Sequence, residues 1–292
     1  MLRHRVLIIL NPAAGRSGSS RRRLDRVIAA LERQGCAVVL RQAGPTKGDV
    51  ERLAREAEAD FEIVVAAGGD GTLNAVVNGM AAAPRTVGLV PLGTANVLAH
   101  DLGLPRDPER LAVLIAEGPA RPIWPGRVAG RLFLTMASSG FDAETVAAVN
   151  PRLIQHLGRV AFAWAIMVCL WRYRACALSI RIDDIEHRAA TVIAAKGRCY
   201  AGPYLIAPRA DLAEPMLDLV LLHRSGRFAV LRYLATLLLG RVAQCRDITV
   251  LRARAASVSA AAAVPVQADG EIVARLPVLI GIADAPLLMV RP

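Results

Sequence analysis

Through about residue 120, short β-branched runs alternate with stretches in which apolar residues recur every three or four positions. Arg5 to Leu10, Cys36 to Leu40, Phe61 to Ala66 and Thr86 to Val90 read as strands, and the Phe61 run has the mark of one buried on both faces. Between the first two, Leu24, Val27, Ile28 and Leu31 line one face of a helix whose other face carries Arg21, Arg22, Arg26 and Arg33. Ser19 or Ser20 is expected to cap it and Gly35 to end it. Asp49 is expected to cap a second helix running to about Ala59. Leu73, Val76, Val77 and Met80 mark a third, and Asp107-Pro108 opens a further helix closed by Gly118. This alternation predicts an open, mostly parallel α/β sheet.

The pattern then changes. Arg127 to Ala129 and Arg131 to Ala137 read as hairpin strands, and helical spacing holds from about Glu144 to Arg174, broken near Asn150-Pro151. Ala177 to Ile182, Ala189 to Ala195 and Leu217 to Leu222 are strand-like. A helix from about Arg227 to Leu239 interrupts the series, and short strands follow to the end. The expectation is two domains: residues 1–126 as an α/β unit and 127–283 as a β-rich, sandwich-like body with helices. A length of 292 residues supports two cores.

Three polar or glycine-rich loops follow predicted strands: Asn11-Pro12-Ala13-Ala14-Gly15, Gly68-Gly69-Asp70-Gly71-Thr72 and Pro91-Leu92-Gly93-Thr94-Ala95-Asn96. In an open α/β sheet these loops fall at the carboxyl ends of strands, where ligands bind. Glycines at a strand-to-helix turn let main-chain N–H groups approach an anion, and the helix start adds a positive dipole, which together suit a phosphate. Asp70 is out of place in a passive phosphate cradle. A carboxylate there points to a metal ion or a proton to be handled, hence to phosphoryl transfer. The plainer alternative is a tight turn with a solvated Asp.

Composition narrows the partners. Lys plus Arg number 36 against 25 Asp plus Glu, a net charge of +11, which favours anionic ligands or acidic lipid surfaces. Aromatics are only 4%, and no stretch interleaves them with basic residues, so nucleic acid is not expected as a partner. The five cysteines, Cys36, Cys169, Cys176, Cys199 and Cys245, show no metal or redox spacing and fit a reducing compartment. The apolar run Val160 to Trp171 is shorter than the ~20 residues of a spanning helix, and the opening residues do not form a signal peptide. These features predict a cytoplasmic protein. The excess of positive charge and the arginines flanking that run, Arg159, Arg172 and Arg174, suggest peripheral contact with a membrane surface. A buried helix is the competing reading of the run.

Six motifs in order carry a family resemblance: Asn11-Pro12 with Gly15, Gly68-Gly69-Asp70-Gly71-Thr72, Pro91-Leu92-Gly93-Thr94-Ala95-Asn96, Gly140-Phe141-Asp142-Ala143, Ile206-Ala207-Pro208 and Asp269-Gly270-Glu271. Together they resemble the diacylglycerol kinase catalytic-domain superfamily, particularly the small bacterial lipid kinases that are also similar to sphingosine kinases. The resemblance implies ATP and Mg²⁺ as cofactors, a diacylglycerol-like or long-chain-base lipid as acceptor, and a last strand that returns to the first domain. It puts the nucleotide-binding loops on Asn11, Gly15, Gly69, Asp70, Gly71, Thr72, Gly93 and Thr94, and the acidic network on Asp70, Asp142 and Glu271. Taken alone, Asp142 reads as a turn or cap residue and Glu271 as an exposed hairpin residue.

Two departures stand out. Lys196 occupies a position where many family members have Asn. Ala213-Glu214-Pro215 stands where they carry Asp-Asp-Gly and hold a structural Mg²⁺, leaving Glu214 as the candidate ligand for that metal beside Asp70 for the nucleotide's. Two other functions are kept open: an NAD kinase-like enzyme, against which Asn96 lacks the following acidic residue, and a catalytically silent regulator that binds nucleotide and lipid. The assembly state, including a homodimer, is also open.

Overall fold

The computed structural model describes residues 4–14, 18–148, 167–171 and 176–292. It divides into two units, Met1–Ile123 with Ala285–Pro292, and Trp124–Asp284.

The first unit begins with β1 (Arg5–Leu10), α1 (Gly18–Arg33), β2 (Ala37–Gln42), α2 (Asp49–Arg55), β3 (Ile63–Gly68), α3 (Asp70–Gly79) and β4 (Thr86–Pro91). It continues with α4 (Val97–Asp101), α5 (Pro108–Glu117) and β5 (Ala120–Ile123). β1 pairs in parallel with β2 on one side and β3 on the other, and β4 extends the sheet in parallel beyond β3. The C-terminal strand Leu287–Val290 lies between β4 and β5, parallel to the first and antiparallel to the second.

Alternation along β1 and β3 feeds two cores. Val6, Ile8, Ile63, Val65 and Ala67 meet Leu24, Val27 and Leu31 of α1 and Leu111 and Ile115 of α5. The intervening Leu7, Ile9, Val64 and Ala66 are fully buried on the opposite face, the side on which α3 packs. That double burial is why these strands read as continuous apolar runs rather than alternating ones. Since the chain steps from β1 outward to β2 and then across to β3, the order reverses between β1 and β3. The crevice at their carboxyl ends is flanked by Asn11 and by Gly68 with Gly69.

Two expected caps move. Ser19 and Ser20 lie inside α1, which starts at Gly18. The cap of α2 is Gly48, at φ 99°, and the Asp49 carboxylate turns back to accept the Thr46 N–H at 3.0 Å. Asp107 caps α5 as expected, accepting from the Arg110 N–H at 3.0 Å ahead of Pro108.

The second unit contains β6 (Gly126–Val128), β7 (Arg131–Phe133), β8 (Met136–Ser139), α6 (Phe141–Ala148), β9 (Leu178–Ile182), β10 (Ile185–Ala189) and β11 (Thr191–Ala195). There follow β12 (Cys199–Tyr200), β13 (Tyr204–Leu205), β14 (Leu217–Leu222), α7 (Arg227–Leu238), β15 (Ile248–Ala253), β16 (Ala255–Ala260), β17 (Pro265–Ala268), β18 (Glu271–Arg275) and β19 (Val278–Ile282). The C-terminal strand of the first unit is thus β20. Two antiparallel six-stranded sheets form, β10-β9-β16-β19-β6-β7 and β15-β14-β11-β8-β17-β18. They share a core of Val128, Phe133, Ile180, Val258 and Ile280 from one and Val192, Leu219 and Val266 from the other, a β-sandwich. The other face of the second sheet, through Ile193, Ala195 and Val220, is covered by Ile206, Ala207 and Leu237 of α7. Most of the helical spacing expected over 144–174 lies outside the described residues.

Phe133 fills the space beside Gly126, where a Cβ would sit 2.0 Å from the ring. Phe133 is fully buried, so Phe133→Ala is expected to destabilise the second unit by ~3–5 kcal/mol through the cavity it leaves. Urea denaturation followed by tryptophan fluorescence measures the loss, and a change below ~1 kcal/mol would mean that the sheets close over the gap.

Candidate functional site

In the first unit, the three loops after β1, β3 and β4 are bonded to one another. The Asn11 N–H donates to the Ala67 carbonyl at 3.1 Å, and the Asn11 side-chain amide donates to Thr72 Oγ1 at 3.1 Å. The Leu92 N–H donates to the Gly68 carbonyl at 2.8 Å. Gly69 and Gly93 meet backbone to backbone: a Cβ built on Gly93 would lie 2.6 Å from Gly69 Cα, and one on Gly69 3.3 Å from Gly93 Cα. The Gly93 contact leaves no room for a side chain, and a Cβ on Gly69 would need its neighbour to give by a few tenths of an ångström. The Gly93 loop is further tied by Asn96, whose amide donates to the Gly93 carbonyl at 2.8 Å and whose Oδ1 accepts the Gly93 N–H at 3.1 Å. Asn96 itself sits at φ 46°, a left-handed conformation that Asn tolerates.

Asp70 is the first residue of α3, and its Oδ1 accepts the Leu98 N–H at 3.2 Å, which joins the start of α3 to α4. Gly71 is exposed, Thr72 is buried under the Asn11 amide, and Thr94 is exposed on the turn before α4. Gly15 lies outside the described residues. The glycine junction at the head of a ten-residue helix has the form of an anion cradle. One carboxylate at its edge suits Mg²⁺ that arrives on phosphates, since that ion is commonly held by one or two carboxylates plus substrate oxygens.

In the second unit, Asp142 is 7% exposed and is the centre of a buried network. Ser138 Oγ and Gln267 Nε2 donate to its Oδ2, the latter at 2.9 Å, and the Tyr200 hydroxyl donates to its Oδ1. Burial, then the Asp142 charge and hydrogen bond, push the Tyr200 phenol well above its ordinary range. Gln267 carries the network on to the 269–271 turn, its Oε1 accepting the Gly270 N–H at 2.9 Å. Asp269 and Gly270, at φ 47° and 87°, form the two-residue turn between β17 and β18. The Asp269 carboxylate accepts the N–H groups of Leu134, Thr135 and Met136 at 2.7, 2.9 and 3.1 Å. Glu271, exposed at the start of β18, is therefore presented on a turn fixed from two sides.

Glu214 is held differently. Its carboxylate pairs with Arg252, and its main-chain carbonyl accepts from Lys196 Nζ at 2.7 Å. Burial lowers the Lys196 pKa to about 8 against the pull of Asp211, Glu214 and Asp218. Among the described residues no three His, Cys, Asp or Glu gather as a metal cluster.

Comparison with known proteins decides the family. Residues 5–128 match the diacylglycerol kinase catalytic domain, and residues 135–291 match the YegS C-terminal NAD kinase beta sandwich-like domain. The diacylglycerol kinase of Bacillus subtilis (strain 168) is 30% identical over 279 residues, covering 94% of this chain and 91% of its own. The chain belongs to the diacylglycerol kinase family. A diacylglycerol kinase of Mycobacterium tuberculosis (strain ATCC 25618 / H37Rv) is 28% identical over 297 residues, covering 99% of this chain and 95% of its own. The crystal structure of a diacylglycerol kinase from Bacillus anthracis shares the fold, with a TM-score of 0.79 at 22% identity over 99% of this chain and 97% of that one. Family membership makes this chain a lipid kinase by kinship.

Sequence reasoning did not single out Gln267, Tyr200 or Ser138, and it placed Asn96 in a motif without its role in closing the Gly93 turn. Gln267 left a trace, as a polar residue inside the buried strand Pro265–Ala268; the others look like ordinary turn and strand residues. Gln267→Leu should leave Asp142 short of a donor in a buried site and lower stability by about 1–3 kcal/mol. Thermal melting of the variant measures it, and an unchanged Tm would mean that water replaces the amide.

Proposed function

We propose that the protein transfers the γ-phosphoryl group of ATP to a hydroxyl of a diacylglycerol-like or long-chain-base lipid. The observation that carries this reading is the junction of the loops after β1, β3 and β4, where Gly69 and Gly93 touch and Asp70 opens α3. Mg²⁺ bound with the nucleotide would supply charge neutralisation on the phosphates. Asp70 is the residue that would hold it. Main-chain N–H groups of Gly69 and Gly71 and those around Thr94 would bind the phosphates; the Thr72 and Gly93 N–H groups are spent on the Gly69 carbonyl and Asn96, and Asn11 locks Thr72 in place. Glu271 is the candidate base for the lipid hydroxyl, because a solvent-reached carboxylate on a rigid turn can accept a proton. Asp142, saturated by three donors, acts as a positioning residue through Gln267 rather than as a proton acceptor.

Glu271→Gln keeps size and loses basicity, so kcat with lipid should fall by roughly 10²–10⁴-fold while the Kd for ATP stays near wild type. Asp70→Asn should abolish turnover with the fold intact. Labelled-ATP assays over a lipid panel, with nucleotide titrations on the same variants, measure both. Wild-type turnover in Glu271→Gln would remove the base assignment, and a wild-type chain without turnover on any lipid would favour the regulator reading.

The same reading puts the protein at a membrane surface. On α7, Val230, Tyr233 and Leu237 face the core, while Phe228, 89% exposed, forms a second apolar stripe with Leu231 and Leu238. Trp171, 68% exposed, lies under the Arg227 guanidinium, 4.6 Å from the ring centroid. Exposed apolar side chains flanked by Arg224, Arg227 and Arg241 suit an anionic bilayer. Residues 160–166 of the run noted in the sequence lie outside the described residues. No helix among the described residues is long and apolar enough to cross a membrane. Phe228→Asp should weaken co-sedimentation with anionic vesicles at low salt by roughly tenfold or more. Equal binding of variant and wild type would place the contact elsewhere, and a wild-type dimer that dissociates in Phe228→Asp would make the stripe a subunit interface.

A further inference from the structure

Lys196 follows β11 and is fully buried, yet it has no part in the reaction as proposed. Its N–H and that of Gly197 donate to the Thr135 carbonyl at 2.8 and 3.0 Å. Its ammonium donates to two main-chain carbonyls of one loop, Asp211 and Glu214. An ammonium has three donors and no acceptor, so two converging carbonyls satisfy most of it. The nearby carboxylates are arranged to match. Asp218 on β14 is 2% exposed, with Oδ1 3.3 Å from Arg252 Nε and Oδ2 without a hydrogen-bond partner, while the Glu214 carboxylate is taken up by Arg252.

Oxygens from a short loop converging on one positive centre are how a hard divalent ion is usually held. Here that centre is a side chain. A metal bound to the same carbonyls would stand against the ammonium, and the resulting like-charge repulsion has no compensating free carboxylate on Glu214. The residues therefore do not fit the structural Mg²⁺ that the family resemblance implies, and Glu214 is not its ligand.

We infer that Lys196 supplies a built-in cation that organises the 211–214 loop, so that this chain needs no divalent ion there. Lys196 is also a positioning residue. Its main chain holds Thr135, whose N–H and hydroxyl both donate to Asp269 Oδ1, at 2.9 and 2.5 Å. Asp269 opens the turn that presents Glu271. The order of the 211–214 loop and that of the turn are thus joined through one lysine, whatever reaction the turn serves.

The test needs neither ATP nor lipid, so its outcome is independent of the kinase reading. The wild-type chain, purified without chelators, should contain no stoichiometric divalent metal by elemental analysis. Its Tm should be the same in EDTA as in millimolar MgCl₂ or CaCl₂. K196A and K196M should each melt lower by roughly 5 °C, and K196A should regain part of that in millimolar Mg²⁺ or Ca²⁺, as a defect of packing alone would not. One metal per wild-type chain, or a wild-type Tm raised several degrees by the divalents, would overturn the inference. So would a K196M variant as stable as wild type, or a K196A variant indifferent to divalents. If the variants do not fold, the two wild-type measurements decide.

Discussion

Gly93 can approach the Gly69 backbone as it does only without a Cβ, and the first unit's candidate site depends on that approach. With a methyl on Gly93 only 2.6 Å from Gly69 Cα, the loop after β4 would have to swing away from the loop after β3. The bond from the Leu92 N–H to the Gly68 carbonyl and that from the Leu98 N–H to the Asp70 carboxylate would then stretch together, because both cross the same gap. The contact converts three separate loops into one surface, rimmed by the start of α3 and its dipole. Asn11 and Asn96 are the side chains that brace it, one reaching Thr72 and the other closing the Gly93 turn on itself.

The second unit solves a related problem with charge instead of absence. An exposed acid keeps a fixed place only if groups other than its own carboxylate hold it. Here the turn before Glu271 is held by Asp269 on one side and by Gln267 on the other. Both supports are themselves anchored, Asp269 on the main chain of 134–136 and Gln267 on Asp142. Buried polar networks of this kind are worth having only when each member is satisfied. Asp142, with Ser138, Tyr200 and Gln267 around it, meets that condition.

The α/β alternation and the change to a β-sandwich were legible because both are written in hydrophobic period. Strands buried on two faces give runs such as Ile63 to Gly68, and α1 shows a one-sided stripe. Caps were less legible, since Asp49 has the chemistry of a cap but the chain turns at Gly48 first. Nothing in the apolar run Leu287–Val290 says which sheet it joins. The glycine junction could be named from its motifs, but its closeness could not, since a contact between residues 69 and 93 has no local signature. Lys196 shows the limit most clearly. As a letter it is a charged residue after a buried strand, and only the converging carbonyls of Asp211 and Glu214 reveal what it holds.

The last strand has a consequence for how the molecule is made. β20 lies between β4 and β5, so on a ribosome the first sheet cannot close until synthesis has passed residue 290. At ~5–20 residues per second, β4 waits on the order of ten seconds for its neighbour, with its main-chain edge unpaired. During that interval the sandwich is being completed from the intervening segment. The nascent protein thus passes through a stage in which its second unit can be nearly finished while its first remains open at one edge. Any premature stop before residue 287 would leave that edge permanently available to other strands.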